Sequence, residues 1–357
     1  MSVPESSGKG PQLPADQRRV GEHVRAVIRT RGFLIGLLAV VLAGMYVAGL
    51  MSGASAQRLL SLTMWGLMLG GVIALGSIGL SLVYGVMKFP NFSHGALVTL
   101  GAYVALSMMA LLPQGEPLRP FSFGYEFLVA LLIAMPVVGA VAVGIDRVVY
   151  RRLRRAGAHL VLFAMASLAM AFFVRSMIYL IWGPDFHFYF PGRANPALYL
   201  PFGVRIRADQ LFILVLGFVL VGAVYCLLEW TRMGKAMRAS ADNPDLAQVR
   251  GINTERVIAW TWMLGGGLAA AGGVMYGLSS QLRPEMGFWL LLPMFAATIM
   301  GGIGNPYGAF VAALIIGVAH QVSTSFLNPT YGPAVAFVLM VVTLLIRPQG
   351  LFGRTEG

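Results

Sequence analysis

The 357-residue chain has little charge and almost no cysteine. Lys and Arg number 26 and Asp and Glu 14, so only 11% of residues are charged. A soluble globular domain carries roughly 25%, and the polar surface here is too small to cover a soluble particle. The single cysteine, Cys226, excludes an internal disulfide framework and any multi-cysteine metal site. Inside an apolar run it reads as a small buried hydrophobe. Catalytic signatures are missing too. "RMGKAMR" has Gly-Lys but neither the upstream glycine nor the following Ser or Thr of a phosphate loop, and HExxH and GxSxG are absent. No carboxylates cluster inside the apolar runs. No catalytic residue, metal site or cofactor of the chain's own is therefore expected.

What is present is long apolar sequence. Hydrophobic residues make up 57% of the chain, and several runs of about 18 or more point to membrane-spanning helices. A β-barrel would instead alternate over segments of about ten residues. The expected fold is an all-α polytopic membrane protein with spans at 33–51, 59–87, 94–112, 125–145, 158–182, 210–228, 257–279, 289–303, 307–323 and 332–346. The eighth is short, and 289–305 reads either as a full span or as a re-entrant half-span.

The formal net charge of +12 gains meaning from its position. With the N-terminus in the cytoplasm, alternation places 19 of the 26 Lys and Arg residues in inner segments, including the dense "RVVYRRLRRAG". Six fall outside: Arg58, Arg119, Arg193, Arg205, Arg207 and Arg283. Cytoplasmic loops of membrane proteins carry this excess, so both termini are expected inside, and no nucleic-acid partner is needed to explain the charge. Residues 1–32, polar and then Arg-rich, read as a disordered basic cytoplasmic tail lying close to membrane lipid. Residues 33–357 form the transmembrane domain. "ASA" at 54–56 has the look of a signal-cleavage site, but the apolar run before it suits an uncleaved span. Arg175 alone falls inside a span, and it reads as snorkelling to the interface. His320 reads as a helix–helix contact.

The loop 229–256, "EWTRMGKAMRASADNPDLAQVRGINTER", carries the strongest local signal. Asn243 suits an N-cap and Pro244 the first helical position. Asp245 complements the positive end of the helix, and Gly251 suits a left-handed C′ position. "NPDLAQVRG" is thus a complete capped helix, too short to stand alone in water. Leu246 and Val249 face one way, with Ile252 just beyond. A short capped helix with a small apolar face is a docking element or an ordinary loop helix packed on its own protein.

Asp245-Leu246-Ala247-x-x-x-Gly251 resembles a variant of the E-A-A-x-x-x-G loop of ABC importer permeases, with Asp for Glu and Leu for the first Ala. Four ordered blocks resemble a narrower family, the permeases of high-affinity branched-chain amino acid ABC importers. They are "GLSLVYGVMKFPNFSHGALVTLGAY" (79–103), "TRMGKAMRASADNPDLAQVRGINTERV" (231–257), "GGIGNPYGAFVAALIIG" (301–317) and "RPQGLFGR" (347–354). The resemblance implies a permease of about ten spans in the bacterial inner membrane, working with ATP-binding subunits, a second permease chain (identical or related) and a periplasmic substrate-binding protein. ATP is then bound by the partner subunits, and the 243–251 helix couples to them. Leucine, isoleucine and valine are the implied substrates, although related systems carry urea, short amides or aromatic acids. The alternative reading is a self-sufficient secondary carrier or channel for a small polar solute.

Two polar breaks interrupt the apolar sequence. In "FPNFSHG", Pro90 cannot continue a helix, and Ser93 or Asn91 can cap the next one. "GGIGNPYGAFVAAL" precedes another span in the same orientation, and the "GA-x-V" at 95–98 recurs at 308–311. Breaks at membrane depth survive only where protein or a cavity satisfies the backbone, and transporters build solute sites from them. Asn91, Ser93, His94 and Asn305 are therefore the candidates for a translocation path. Each break equally reads as a tight inner turn with a cap.

Overall fold

The computed structural model describes residues 31–113, 115–192, 197–200 and 204–353. Of the tail expected over 1–32, all but Arg31 and Gly32 lie outside the described residues. Twelve α-helices, counting the fourth as continuous through a π-helical turn, follow in order: α1 (Arg31–Met51), α2 (Ala56–Met87), α3 (His94–Leu111), α4 (Tyr125–Arg155), α5 (Leu160–Trp182), α6 (Ala208–Trp230), α7 (Arg232–Asp242), α8 (Pro244–Val249), α9 (Thr254–Ser279), α10 (Met286–Gly301), α11 (Pro306–Ser323) and α12 (Gly332–Ile346). Nine helices among the described residues are long and apolar enough to cross a membrane, and α10 is a shorter apolar helix. The protein is a multi-pass membrane protein.

Among the described residues the helices are interrupted by an isolated antiparallel bridge between His187 and Leu282 and by a short hairpin between α5 and α6. Strands β1 (Ala197–Leu200) and β2 (Val204–Arg207) pair antiparallel, with Leu198 opposite Ile206. Strongly apolar helices mask such a short, partly charged hairpin in the sequence.

Helix α2 is the centre of the bundle and is buried along most of its length. Its start is fixed by Ser55, whose hydroxyl accepts from the Arg58 amide at 3.2 Å, so "ASA" forms a turn and a cap. Small residues then admit its neighbours, as expected where no hydrophobic drive separates helix from lipid. A Cβ at Gly66 would lie 2.6 Å from Val318 Cα of α11, and one at Gly79 would lie 2.8 Å from the Gly265 carbonyl of α9. At these two positions glycine serves close packing.

The fourth span does not stop at 145. It runs on through a π-helical turn (Asp146–Tyr150) and a last α turn to Arg155. Asp146 stays buried because Arg154 grips both of its oxygens, at 2.6 and 3.2 Å. With its charge paired, the carboxylate needs no water, and the helix has no reason to end there.

Helix α10 resolves the eighth span. Sixteen residues reach about 24 Å, short of a hydrocarbon core of about 30 Å. Residues 280–285 lead from the end of α9 back into the bundle, where Gly287 meets α3: a Cβ at Gly95 would lie 2.6 Å from the Gly287 carbonyl. The far end of α10 packs on Gly308 of α11. The two "GA-x-V" copies thus seat α10 at both ends.

Candidate functional site

One end of the bundle gathers α7, α8, the Arg-rich end of α4 and both polar breaks. The chain is organised there by successive caps. The Thr231 hydroxyl accepts from the Gly234 amide at 3.0 Å to start α7. Asn243 ends α7 and starts α8, its Oδ1 accepting from the Leu246 amide at 2.9 Å, with Pro244 in the first turn. Gly251, at φ +81°, reverses the chain, and the Ile252 amide returns to the Ala247 carbonyl at 3.0 Å. Asn253 then caps α9 through the Arg256 amide.

Helix α8 presents its apolar residues unequally. Leu246 and Val249 are 56% and 83% exposed, so neither is used in folding this chain. Ala247 is buried. Ile252 packs back on the core instead of extending the exposed face, because the turn at Gly251 points it inward. The loop is tied to the first break by Lys88, whose ammonium donates to the Ala241 carbonyl at 2.8 Å. That carbonyl belongs to the last turn of α7, where the helix dipole favours a cation.

The first break is not a tight turn at the end of the bundle. Lys88 closes α2 in the left-handed region, at φ +59°. The chain then climbs back inside, and α3 starts with the His94 ring at Gly79, whose added Cβ would lie 3.0 Å from His94 Cε1. Gly79 precedes the end of α2 by eight residues, or roughly 12 Å of helix. The irregular backbone survives there because side chains from elsewhere bond it. The Ser167 hydroxyl of α5 accepts from the Phe92 amide at 3.1 Å and reaches the Pro90 carbonyl at 3.3 Å. Phe89 packs on Tyr150, which stacks on Trp262 of α9 with ring centroids 5.1 Å apart.

Asn91, Ser93 and His94 are brought together, and all three are buried. Neither Asn91 nor Ser93 caps α3 in the expected manner. Asn91 Oδ1 accepts from the Ser93 amide at 3.1 Å and from its hydroxyl at 2.7 Å, a local turn that leaves the helix without a side-chain cap. The Ser93 hydroxyl also lies 3.3 Å from that of Tyr150.

Comparison with known proteins gives the family of the chain. The family model described as branched-chain amino acid transport system / permease component matches residues 62–344. The chain belongs to this family. It is 32% identical over 299 residues to the high-affinity branched-chain amino acid transport system permease protein LivH of Salmonella typhimurium, covering 82% of this chain and 94% of that one. It is 31% identical over 302 residues, with the same coverage, to the corresponding permease protein BraD of Pseudomonas aeruginosa. A probable branched-chain amino acid transport permease protein LivH of Methanocaldococcus jannaschii is 30% identical over 298 residues, 79% of this chain and 89% of that one. No solved structure matches the chain. The protein is a transport permease; ATP hydrolysis belongs to a separate component.

The permease places Asn305 apart from the other three path candidates. Its Oδ1 accepts from the Tyr307 and Gly308 amides, both at 3.1 Å, and caps α11. Its amide nitrogen donates to the Phe352 carbonyl at 3.1 Å, holding the C-terminal segment. Its turn still adjoins the first break, since a Cβ at Gly85 would lie 3.5 Å from Gly304 Cα.

Arg175 has an ion-pair partner that the sequence did not suggest. Its guanidinium pairs with Glu285 at 2.6 Å, and the Tyr179 hydroxyl donates to the same oxygen at 2.8 Å. Glu285 immediately precedes α10, so a partner 110 residues away in the chain satisfies the charge where it stands. The Gly287 amide is bonded at 3.0 Å by the Thr99 hydroxyl of α3. Together these fix the start of the short helix. His320 does make a helix–helix contact, its ring lying against Gly332 at the start of α12. Ser167, Thr99, Tyr150 and Glu285 escaped sequence reasoning. Of these only Glu285 left a trace, an acid just before an apolar run where a helix start favours negative charge.

Proposed function

We propose that this permease imports leucine, isoleucine and valine across a bacterial inner membrane, driven by ATP-binding subunits that dock on α8. The basic end of the bundle faces the cytoplasm, in keeping with the excess of Lys and Arg there. A second permease chain completes the path, and a periplasmic substrate-binding protein delivers the solute to the opposite face. The family and the named relatives support the solute class. The observation that carries the coupling role is the exposure of Leu246 and Val249 on a fully capped helix. Exposed apolar side chains at such a position suit a protein cleft.

A detergent pull-down of the tagged permease tests this. Native membranes are expected to yield ATPase subunits with the wild type and to lose them when Leu246 and Val249 are both replaced by Asp. Recovery of the chain alone, with leucine transport by that chain in liposomes, would overturn the reading in favour of a self-sufficient carrier.

A further inference from the structure

At the opposite end of the bundle from α8, a cavity of about 560 Å³ opens where β2 leads into α6 and where α9 and α11 finish. Its size falls within the roughly 300–1,000 Å³ typical of small-molecule sites. We propose that this cavity receives the solute and selects for a carboxylate on an apolar body, with Arg207 as the carboxylate-binding residue. The inference rests on the importer reading above and adds the residue that recognises the solute's carboxylate.

The cavity has two unlike parts. Met68 and Ile73 of α2 and Leu290 of α10 form an apolar floor. The mouth is polar and carries two arginines, Arg205 and Arg207, while none of the residues lining the cavity is Asp or Glu.

Arg207 is held from both ends. Its backbone amide donates to Gln210 Oε1 at 3.1 Å as the cap of α6. Its guanidinium donates to the Ser279 carbonyl at 3.2 Å, bridging to the last residue of α9. A guanidinium has five donors in a planar fork. With the group fixed by one bond, a carboxylate meets a pre-oriented partner and loses little ordering entropy. Leucine, isoleucine and valine offer a carboxylate to Arg207 and an apolar side chain to the floor, while their ammonium meets only the neutral acceptors Gln210, Ser280 and Gln321 of the lining. Urea and short amides lack the charge for the mouth and the body for the floor, and a cationic side chain meets like charge.

The test uses the assembled importer in nanodiscs, in a Cys226→Ala background with Ser280→Cys at the cavity as reporter. The rate of labelling by a thiol reagent is measured with saturating leucine, with 3-methylbutylamine (the same body without the carboxylate) and with urea. Gln321→Cys serves as a second reporter should the first fail to assemble. Leucine is expected to slow labelling about tenfold or more, the scale of a charge-assisted hydrogen bond, and the amine and urea to leave it unchanged. Arg207→Gln is expected to abolish protection, and Arg207→Lys to restore part of it. Equal protection by the amine, or none by leucine in an importer that still transports leucine, overturns the site and leaves the importer reading intact. Failure of the importer to transport leucine at all, with protection by urea, overturns both.

Discussion

The Lys88 ammonium reaches the Ala241 carbonyl across 153 residues of sequence, at 2.8 Å, and joins the first break to the helix that leads into α8. Through this bond a displacement of α7 would be passed to the segment that precedes α3. Lys88→Met, which keeps the stem and removes the donor, is expected to preserve ATPase recruitment while lowering leucine uptake per ATP hydrolysed. Side-by-side assays of hydrolysis and uptake in proteoliposomes check this. An unchanged ratio would remove Lys88 from the coupling route.

Gly251 holds φ +81°, a region that costs a β-branched side chain about 1–3 kcal/mol. Gly251→Val is expected to loosen α8 and lower uptake, whereas Gly251→Asn, tolerant of left-handed backbone, is expected to keep most of it. Open space surrounds the position, so a difference between the two variants reports backbone conformation, not crowding.

Arg175 and Glu285 act as one unit. Replacing either alone leaves the other charge, partly exposed, without its ion-pair partner. The double variant Arg175→Ala, Glu285→Ala is expected to be more stable than the sum of the single losses predicts, with a coupling of about 1 kcal/mol. Thermal denaturation of the four proteins in one detergent gives the cycle. Additive losses would mean that the pair contributes nothing beyond its separate side chains.

Crowding decides the α2–α11 seam. A Cβ at Gly70 would lie 2.9 Å from Leu314 Cα, while one at the adjacent Gly71 meets nothing within 4 Å. Gly70→Leu is expected to cost about 1–3 kcal/mol or to block assembly, and Gly71→Ala to be tolerated. Yield and melting temperature separate the two.

Asn91, Ser93 and His94 are buried in the single chain. Cysteines placed there in a Cys226→Ala background are expected to resist water-soluble thiol reagents at rest and to react during ATP-driven turnover. Persistent inaccessibility during turnover would exclude them from the path.

What was legible in the sequence was local. Apolar runs located the spans because each must satisfy its own backbone inside lipid. Asn243, Pro244 and Gly251 announced α8 because caps act within a few residues of themselves. Charge asymmetry between loops organised the basic end, a property that needs no partner. The family resemblance drew on the same short blocks and agreed with the family that the comparisons establish.

The tertiary structure decided the features that depend on groups far apart in the chain. Burial of Asp146 on Arg154 lengthened α4 past its expected end. The climb of residues 88–93 into the bundle depends on Ser167, Tyr150 and Trp262. The short α10 is seated by Arg175, Thr99 and two glycines. Local pattern fixes where a helix can form. The depth at which it starts depends on which distant side chains arrive to satisfy its backbone and its charges, and that is settled only when the bundle packs.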